Sequence, residues 1–276
     1  MVTARRLRAR YTPLMDESGE WWQAFFLSGQ YRLEEHVADP ERTKREADFI
    51  QKELDLRPGE RVLDLCCGVG RHSHELAGRG FGVVGVDFTP ASLVTAAGNG
   101  GSFVRGDMRR VPLRCAFDAA FNVFTSFGYF DDERDHQLVL NEVGRLLRPG
   151  GRFLLDVMNP YWLARVFERR LWYELPDGYL LHDSRMDFLR GRVCTDWTFV
   201  RGAERQTFPT SIRLFTMAEL AVMLDRAGLS VVATYGNFTG EPLSLRCEIS
   251  GMIGISNEFW IPNCSTSFLR APWPKR

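Results

Sequence analysis

VLDLCCGVGRHSHELAGRGFGVVGVDF runs from Val62 to Phe88, and its reading decides the fold. An apolar run leads into a turn that carries Gly68 and Gly70. A stretch of helical character follows and stops at Gly78; a second apolar run then closes on an acid, Asp87. Short apolar runs bounded by turn signals read as buried strands, so the stretch is a strand–turn–helix–strand unit. The pattern predicts strands over 61–67 and 82–88 and a helix over 71–77.

Outward from that unit the alternation continues. Residues 41–54 place Ala47, Ile50 and Leu54 on one helical stripe, with Pro40 suited to the first turn. After Asp87 the pattern predicts a short helix over 91–97, strands over 102–105 and 117–124, and a helix over 132–147. That helix has Leu138, Val143, Leu146 and Leu147 on its apolar face, and Pro149-Gly150-Gly151 stops it. A fifth strand covers 152–158. Strands alternating with helices imply a parallel sheet with helices on both faces. Residues 172–215 break the rhythm: apolar and polar residues alternate, with turns at Pro176-Asp177-Gly178, Arg190-Gly191 and Arg201-Gly202. That is an antiparallel meander of three or four strands. Thr216 caps a further helix, Glu219 completes a capping box and Gly228 ends it. Strands over 229–235 and 248–256 close the ordered part, and an irregular tail follows.

Three ligands compete for the turn at 66–70. A phosphate loop needs Gly-Lys-Ser/Thr, which is absent. A dinucleotide needs a third glycine, but Ser73 stands in that place with Arg71 and His72 before it. The third ligand, S-adenosylmethionine (SAM), has no phosphate. Its ribose diol offers two O–H donors to one carboxylate. Asp87, 19 residues after Gly68, supplies that carboxylate, and Asp64 can order the turn or meet the ammonium.

Asp64-Leu65-Cys66-Cys67-Gly68-Val69-Gly70-Arg71-His72 resembles motif I of the class I SAM-dependent methyltransferases. Gly106-Asp107-Met108 resembles their adenine clamp, and Phe117-Asp118-Ala119-Ala120-Phe121-Asn122 resembles motif IV, where the chain leaves strand four beside the transferable methyl. Leu147-Arg148-Pro149-Gly150-Gly151-Arg152-Phe153 resembles the motif before strand five. The resemblance implies an α/β fold: a Rossmann-like class I methyltransferase sheet with helices on both faces, plus an antiparallel β meander inserted after strand five. The expected division is an arm with lid helices over 1–56, a SAM-binding core over 57–160, a substrate cover over 161–215, the rest of the core sheet over 216–256 and a tail over 257–276. The cover resembles that of small-molecule N-methyltransferases of the amino-sugar type. The implied cofactor is SAM, with no metal. Its candidate contacts are Asp64, Cys66, Gly68, Gly70, Arg71, Asp87, Phe88, Asp107, Met108, Asn122 and Phe124.

Bulk composition agrees with a soluble enzyme of small substrates. Lys+Arg and Asp+Glu both number 35 in 276 residues, which argues against binding driven by nucleic-acid phosphates. Lysine stands only at 44, 52 and 275, and the arginines are scattered. The six cysteines form no CxxC and no Cys/His pair of zinc spacing, so buried thiols are expected. No apolar run is long enough to span a membrane, and MVTARRLRARY lacks the apolar core of a secretory signal. A cytoplasmic protein without a membrane or nucleic-acid partner is expected. The exposed edges of a meander suggest a homo-oligomer.

Methyl transfer from a sulfonium is an in-line displacement, so a dedicated base is dispensable when orientation is right. The substrate pocket is expected to contain Tyr31, Phe127, Tyr129, Phe130, His182 and Arg213, with Tyr129 and His182 as the candidate catalytic groups. Trp21-Trp22 through Tyr31 reads as a lid; His136 is a structural or solvent-facing group, His72 lies near the cofactor tail and His74 faces solvent. The acceptor expected is an amine nitrogen. An oxygen acceptor on a small metabolite and a SAM-binding subunit without turnover are the alternatives.

Overall fold

The computed structural model describes residues 20–31, 39–114, 117–245 and 250–257. Residues 1–19 of the expected arm, the tail beyond Asn257, and Cys115, Cys247 and Cys264 lie outside the described residues. Helix α1 spans Trp21–Leu27 and α2 spans Pro40–Glu53. Asp39 caps α2 by accepting from the Glu41 amide at 3.0 Å, and Pro40 occupies the first turn, where its missing N–H costs nothing.

The βα series then runs β1 (Arg61–Leu65), α3 (Arg71–Gly78), β2 (Gly82–Asp87), α4 (Pro90–Gly98), β3 (Ser102–Arg105), β4 (Phe117–Asn122), α5 (Glu133–Leu146) and β5 (Leu147–Met158). After β5 comes α6 (Pro160–Val166), then β6 (Arg170–Leu175), β7 (Gly178–Asp187), β8 (Arg192–Arg201), β9 (Glu204–Arg213), α7 (Met217–Arg226), β10 (Leu229–Tyr235) and β11 (Ser250–Asn257). The main sheet has the order β10-β11-β5-β4-β1-β2-β3. Strand β11 is antiparallel to both neighbours, whereas β1 to β5 pair in parallel. Strand order reverses between β1 and β4, and a crevice opens at such a switch point beyond the carboxyl ends of the strands.

Two apolar layers sandwich this sheet. One gathers Leu63, Phe117, Phe153, Leu140 and Val143 with Trp22 of α1, and the other gathers Val62, Phe121 and Leu154 with Ala47, Phe49 and Ile50 of α2. The second sheet, β6-β7-β8-β9, is the expected meander, with four strands. A backbone bond from Arg213 N to Gly128 O, 2.8 Å, fastens it to the segment after β4, and one from Leu214 N to Gly191 O, also 2.8 Å, ties its exit to the β7–β8 turn.

Several expectations are corrected. Leu138 is 48% exposed; the buried face of α5 is His136, Val139, Leu140, Val143 and Leu146. Treating His136 as polar shifted the phase of that stripe. Strand β4 stops at Asn122, because Phe124 and Thr125 take left-handed backbone with φ of 62° and 53°. Helix α5 ends at Leu146 and Pro149-Gly150-Gly151 falls within β5. Helix α6 was not expected, although Asn159 caps it by accepting from Tyr161 and Trp162. His74 is not solvent-facing: it is half-buried with its ring 5.3 Å from that of Phe103.

Candidate functional site

A cavity opens at the switch point, walled by the turn at 66–68, the ends of β2 and β3, the segment after β4, and α1. The half of it at the glycine turn is built largely from backbone. Cys66, Gly68 and Gly70 have φ of 65°, 54° and 78°, a sequence of left-handed bends that glycine tolerates and cysteine adopts only under constraint. The constraint is visible: Val86 O accepts from Cys66 N at 2.7 Å and from Cys67 N at 3.0 Å. Gly70 and Gly85 leave room for the Phe103 ring, which a Cβ would meet at 2.8 Å and 2.6 Å.

Asp87 spans this turn and the next. Its Oδ2 accepts from Gly68 N at 2.9 Å and its Oδ1 from Thr89 N at 2.7 Å. Burial pushes its carboxyl up, against the pull of those hydrogen bonds. Asp64 Oδ2 accepts from Ser73 Oγ at 2.6 Å, which ties the strand end to α3. The Cys66 thiol lies 3.5 Å from the Met108 sulfur, and burial together with Asp87 and Asp64 pushes it well above the usual thiol range.

At the far end, Asp107 is clasped by Arg109. The Arg109 amide reaches Oδ1 at 2.8 Å and Nη2 reaches Oδ2 at 2.6 Å. The same guanidinium donates to Glu20 Oε1 at 2.6 Å and Asp135 Oδ2 at 2.8 Å, and lies 4.5 Å from the Phe130 ring centroid. Arg109 thus sits behind the wall and joins α1, α5 and the segment after β3.

A second ionic cluster was invisible in sequence. Glu46, 3% exposed on α2, accepts from Arg42 Nε at 2.8 Å and Arg71 Nη1 at 2.5 Å, and pairs with His72 Nε2 at 3.0 Å. Burial works to raise its carboxyl, but the His72 bond and the charges of Arg71 and Arg42 hold it at about 2. Burial lowers the His72 pKa. A charged Glu46 beside a neutral imidazole places the His72 proton on Nε2. Both guanidinium groups lie over the Phe124 ring, at 4.3 Å for Arg71 and 5.1 Å for Arg42.

The other half is aromatic. Trp22, Phe26, Tyr31, Tyr129 and Phe130 face it. Helix α1 is held from both sides: Trp21 Nε1 donates to Tyr129 O at 3.0 Å, Trp22 packs 4.8 Å from Phe88, and Phe25 packs 5.3 Å from Trp197 of the second sheet. Tyr129 lies 5.6 Å from Phe26 in a stacked pair.

Of the residues expected at the cofactor, Asp64, Cys66, Gly68, Arg71, Asp87, Phe88, Asp107, Met108 and Phe124 line this cavity. Gly70 lies behind the turn, and Asn122 donates to Leu65 O at 2.8 Å from beneath. Of the expected substrate residues, Tyr31, Tyr129 and Phe130 line it. Three do not. Phe127 is core, 1% exposed and 5.1 Å from Phe215. His182 is wedged between Tyr173 and Trp197 at 5.1 Å and 4.2 Å, where burial lowers it to about 4. Arg213 is spent on Glu133 and Glu219 at 2.8 Å and 2.6 Å. His136, fully buried, is ringed by Phe127, Phe130 and Phe215 and is lowered to about 4 by burial. Trp22, Phe26, Arg42, Cys67, Thr89, Ser92 and Ser126 line the cavity without having been singled out as contacts.

A doubly wound sheet with an acid after β2, an acid after β3 and a bent glycine turn after β1 defines the architecture of a SAM-dependent methyltransferase. Comparison with known proteins agrees. Residues 62–151 match the methyltransferase domain family. The demethylmenaquinone methyltransferase of Mycolicibacterium vanbaalenii is 33% identical over 197 residues, covering 70% of this chain and 77% of that protein. The cypemycin N-terminal methyltransferase of a Streptomyces species is 29% identical over 195 residues, covering 68% and 80%. Among solved structures, SAM-bound CalS10, an amino pentose methyltransferase from Micromonospora echinaspora, shares the fold with a TM-score of 0.59 at 20% identity, covering 90% of this chain and 99% of that one. The chain belongs to the class I SAM-dependent methyltransferases and is an enzyme of that family. No described helix is long and apolar enough to cross a membrane.

Proposed function

We propose that this enzyme methylates the nitrogen of a small-molecule amine. The observation that carries the reading is the aromatic lining of the acceptor half: Trp22, Phe26, Tyr31, Tyr129 and Phe130. Aromatic faces favour cations, and a protonated amine is one. Among the described residues His72 is the one histidine on the wall, and its Nε2 is committed to Glu46. An amine of pKa about 10.4 sheds its proton to water before attack, so such a site needs no dedicated base.

The residues present fit SAM. An acid-bearing strand end, a turn whose backbone lies open to the cavity and a second acid beside Met108 match its ribose, amino-acid tail and adenine. In this reading Asp87 accepts from the ribose hydroxyls and Asp107 from the adenine amino group. Asp64, Cys66, Gly68 and Arg71 hold the tail, and Phe88, Met108 and Phe124 pack against the rest. Bound SAM supplies an electrophilic methyl on a sulfonium. The chain supplies alignment, which is worth up to about 7–11 kcal/mol. Residues 161–215 serve as the acceptor cover and α1 as its lid. A second reading, an acceptor related to demethylmenaquinone, is favoured by the 33% identical relative.

The test is calorimetry with S-adenosylhomocysteine and with NAD, followed by transfer of labelled methyl to amine, hydroxyl and quinol panels. We expect micromolar S-adenosylhomocysteine binding, silence with NAD, and label in amines that rises with pH. Silence with S-adenosylhomocysteine removes the cofactor assignment. Label confined to hydroxyl or quinol acceptors removes the amine.

A further inference from the structure

A second cavity, of about 540 Å³, shares Phe124 and Arg42 with the first, so that ring and that guanidinium stand between the two. The backbone of this wall is bent. Phe124 and Thr125 take φ of 62° and 53°, a conformation least favourable for a β-branched residue such as Thr125. Asp156, 2% exposed near the end of β5, holds the bend by accepting from Phe124 N at 2.8 Å. Bends of this kind collect where a chain meets a ligand. The second cavity also has an aromatic floor: Phe238 lies 5.6 Å from Phe49 and 6.2 Å from Phe124, and all three rings line it.

The acids of this cavity are already answered. Glu46 takes Arg42 Nε, Arg71 Nη1 and His72 Nε2, Asp48 takes Arg79 Nη1 at 2.8 Å, and Asp156 takes the Phe124 amide. Several donors are not. Arg42 spends Nε on Glu46, and among the described residues its two terminal nitrogens meet no acceptor. Arg45, one turn later and 65% exposed, has Asp39 at 4.0 Å as its ion pair. Asn237 Oδ1 accepts from Thr239 N at 2.9 Å and Thr239 Oγ1 at 2.6 Å, which leaves its NH2 group to donate. Lys52, two turns beyond Arg45, is paired with its neighbour Glu53 at 2.8 Å. Residues 42, 45, 49 and 52 follow the helical period, so α2 turns one face to the cavity and marks it with cations. Two guanidinium groups one turn apart present planar forks that match a carboxylate.

We infer that the second cavity takes the far end of the acceptor, and that this end is a carboxylate seated between Arg42 and Arg45. The acceptor is then an elongated amino acid: its nitrogen lies among the rings of the first cavity, its apolar body passes Phe124, and its acid reaches α2. The inference rests on the amine reading for the nitrogen alone; the carboxylate seat is tested by itself. Calorimetry on the enzyme saturated with S-adenosylhomocysteine compares 4-(aminomethyl)benzoate with benzylamine. The acid is expected to bind at least about tenfold more tightly, the scale of a charge-assisted pair. Arg45→Glu is expected to remove that preference, with unchanged far-UV circular dichroism because Arg45 is exposed, and to leave S-adenosylhomocysteine affinity within about twofold. Lys52→Glu, farther along the face, is expected to reduce the preference by about two- to threefold. Equal affinity for the two compounds, or no binding of either, overturns the inference, as does a preference that survives Arg45→Glu. A loss of S-adenosylhomocysteine affinity of about tenfold in Arg45→Glu also overturns it, by giving the cavity to the cofactor. Transfer of labelled methyl separates the two readings: a carboxylate preference in binding with no label on either amine leaves the seat standing and removes the amine nitrogen.

Discussion

The two halves of the cavity are made differently. The half proposed for the cofactor is a backbone object: bends at Cys66, Gly68 and Gly70, amides held by Val86 O and Asp87, and space cleared by Gly70 and Gly85 for Phe103. The half proposed for the acceptor is a side-chain object, assembled from α1, Tyr31 and the segment 126–130, with the second sheet packed behind α1 and aromatic rings meeting across large sequence separations. A backbone site tolerates change around it and fails when its few fixed atoms move. A side-chain site can be re-lined without disturbing the fold, which suits one scaffold to many acceptors.

That contrast can be broken. The largest expected effect is on the fastening of the acceptor half. Arg192, 2% exposed, donates to Phe130 O at 2.9 Å, Ser211 O at 2.8 Å and Ser211 Oγ at 2.7 Å. Arg192→Met strands those acceptors and should cost about 3 kcal/mol in urea melts. Calorimetric affinity for S-adenosylhomocysteine should change less than threefold; a tenfold loss would show that the halves are not separable.

Next is Asp87→Ala, which removes the carboxylate that holds Gly68 N and Thr89 N. Affinity for S-adenosylhomocysteine should fall by about 1.5–3 kcal/mol, the scale of hydrogen bonds to a charged group. Equal binding by variant and parent would remove Asp87 from the site. Gly85→Ala should cost about 2 kcal/mol of thermal stability, since its Cβ would lie 2.6 Å from the Phe103 ring and 2.8 Å from Cys67 Sγ. Adding Phe103→Leu should restore part of it; no recovery would place the strain elsewhere.

The smallest effect is a pH dependence. His136 is lowered from 6.5 to about 4 by burial. Below pH 6.5 the unfolded chain takes up a proton that the folded chain refuses until about pH 4, so stability falls as pH falls through that window. His136→Leu should lose about 1 kcal/mol less than the parent between pH 7 and 5.5. Parallel pH profiles would show that the imidazole is already charged in the fold.

The same contrast explains what could be read from the sequence. Much of what positions the half proposed for the cofactor is local: Asp64, Gly68 and Asp87 fall within one βαβ unit, and their spacing follows from strand and helix lengths. The meander was legible for the same reason, since turn residues mark each of its hairpins. Burial of His182, the pairing of Arg213 with Glu133 and Glu219, and the removal of Phe127 into the core depend on partners brought in from distant segments. Glu46 lies off the Ala47, Ile50 and Leu54 stripe, and Arg71 and His72, 25 and 26 residues later, make it a buried hub. Helix α6 was the one legible element overlooked, since Asn159-Pro160 is a cap followed by a first-turn proline.

One guanidinium, Arg109, is shared by Asp107 on the cavity wall, Glu20 at the mouth of α1 and Asp135 on α5. Its donors are finite, so a group that draws Asp107 away alters what remains for Glu20. Linkage then makes the account symmetrical: the free energy with which a ligand at Asp107 tightens or loosens α1 is the same with which a docked α1 tightens or loosens that ligand. Docking of α1 and occupation of the Asp107 end are in that sense one equilibrium, read from two sides.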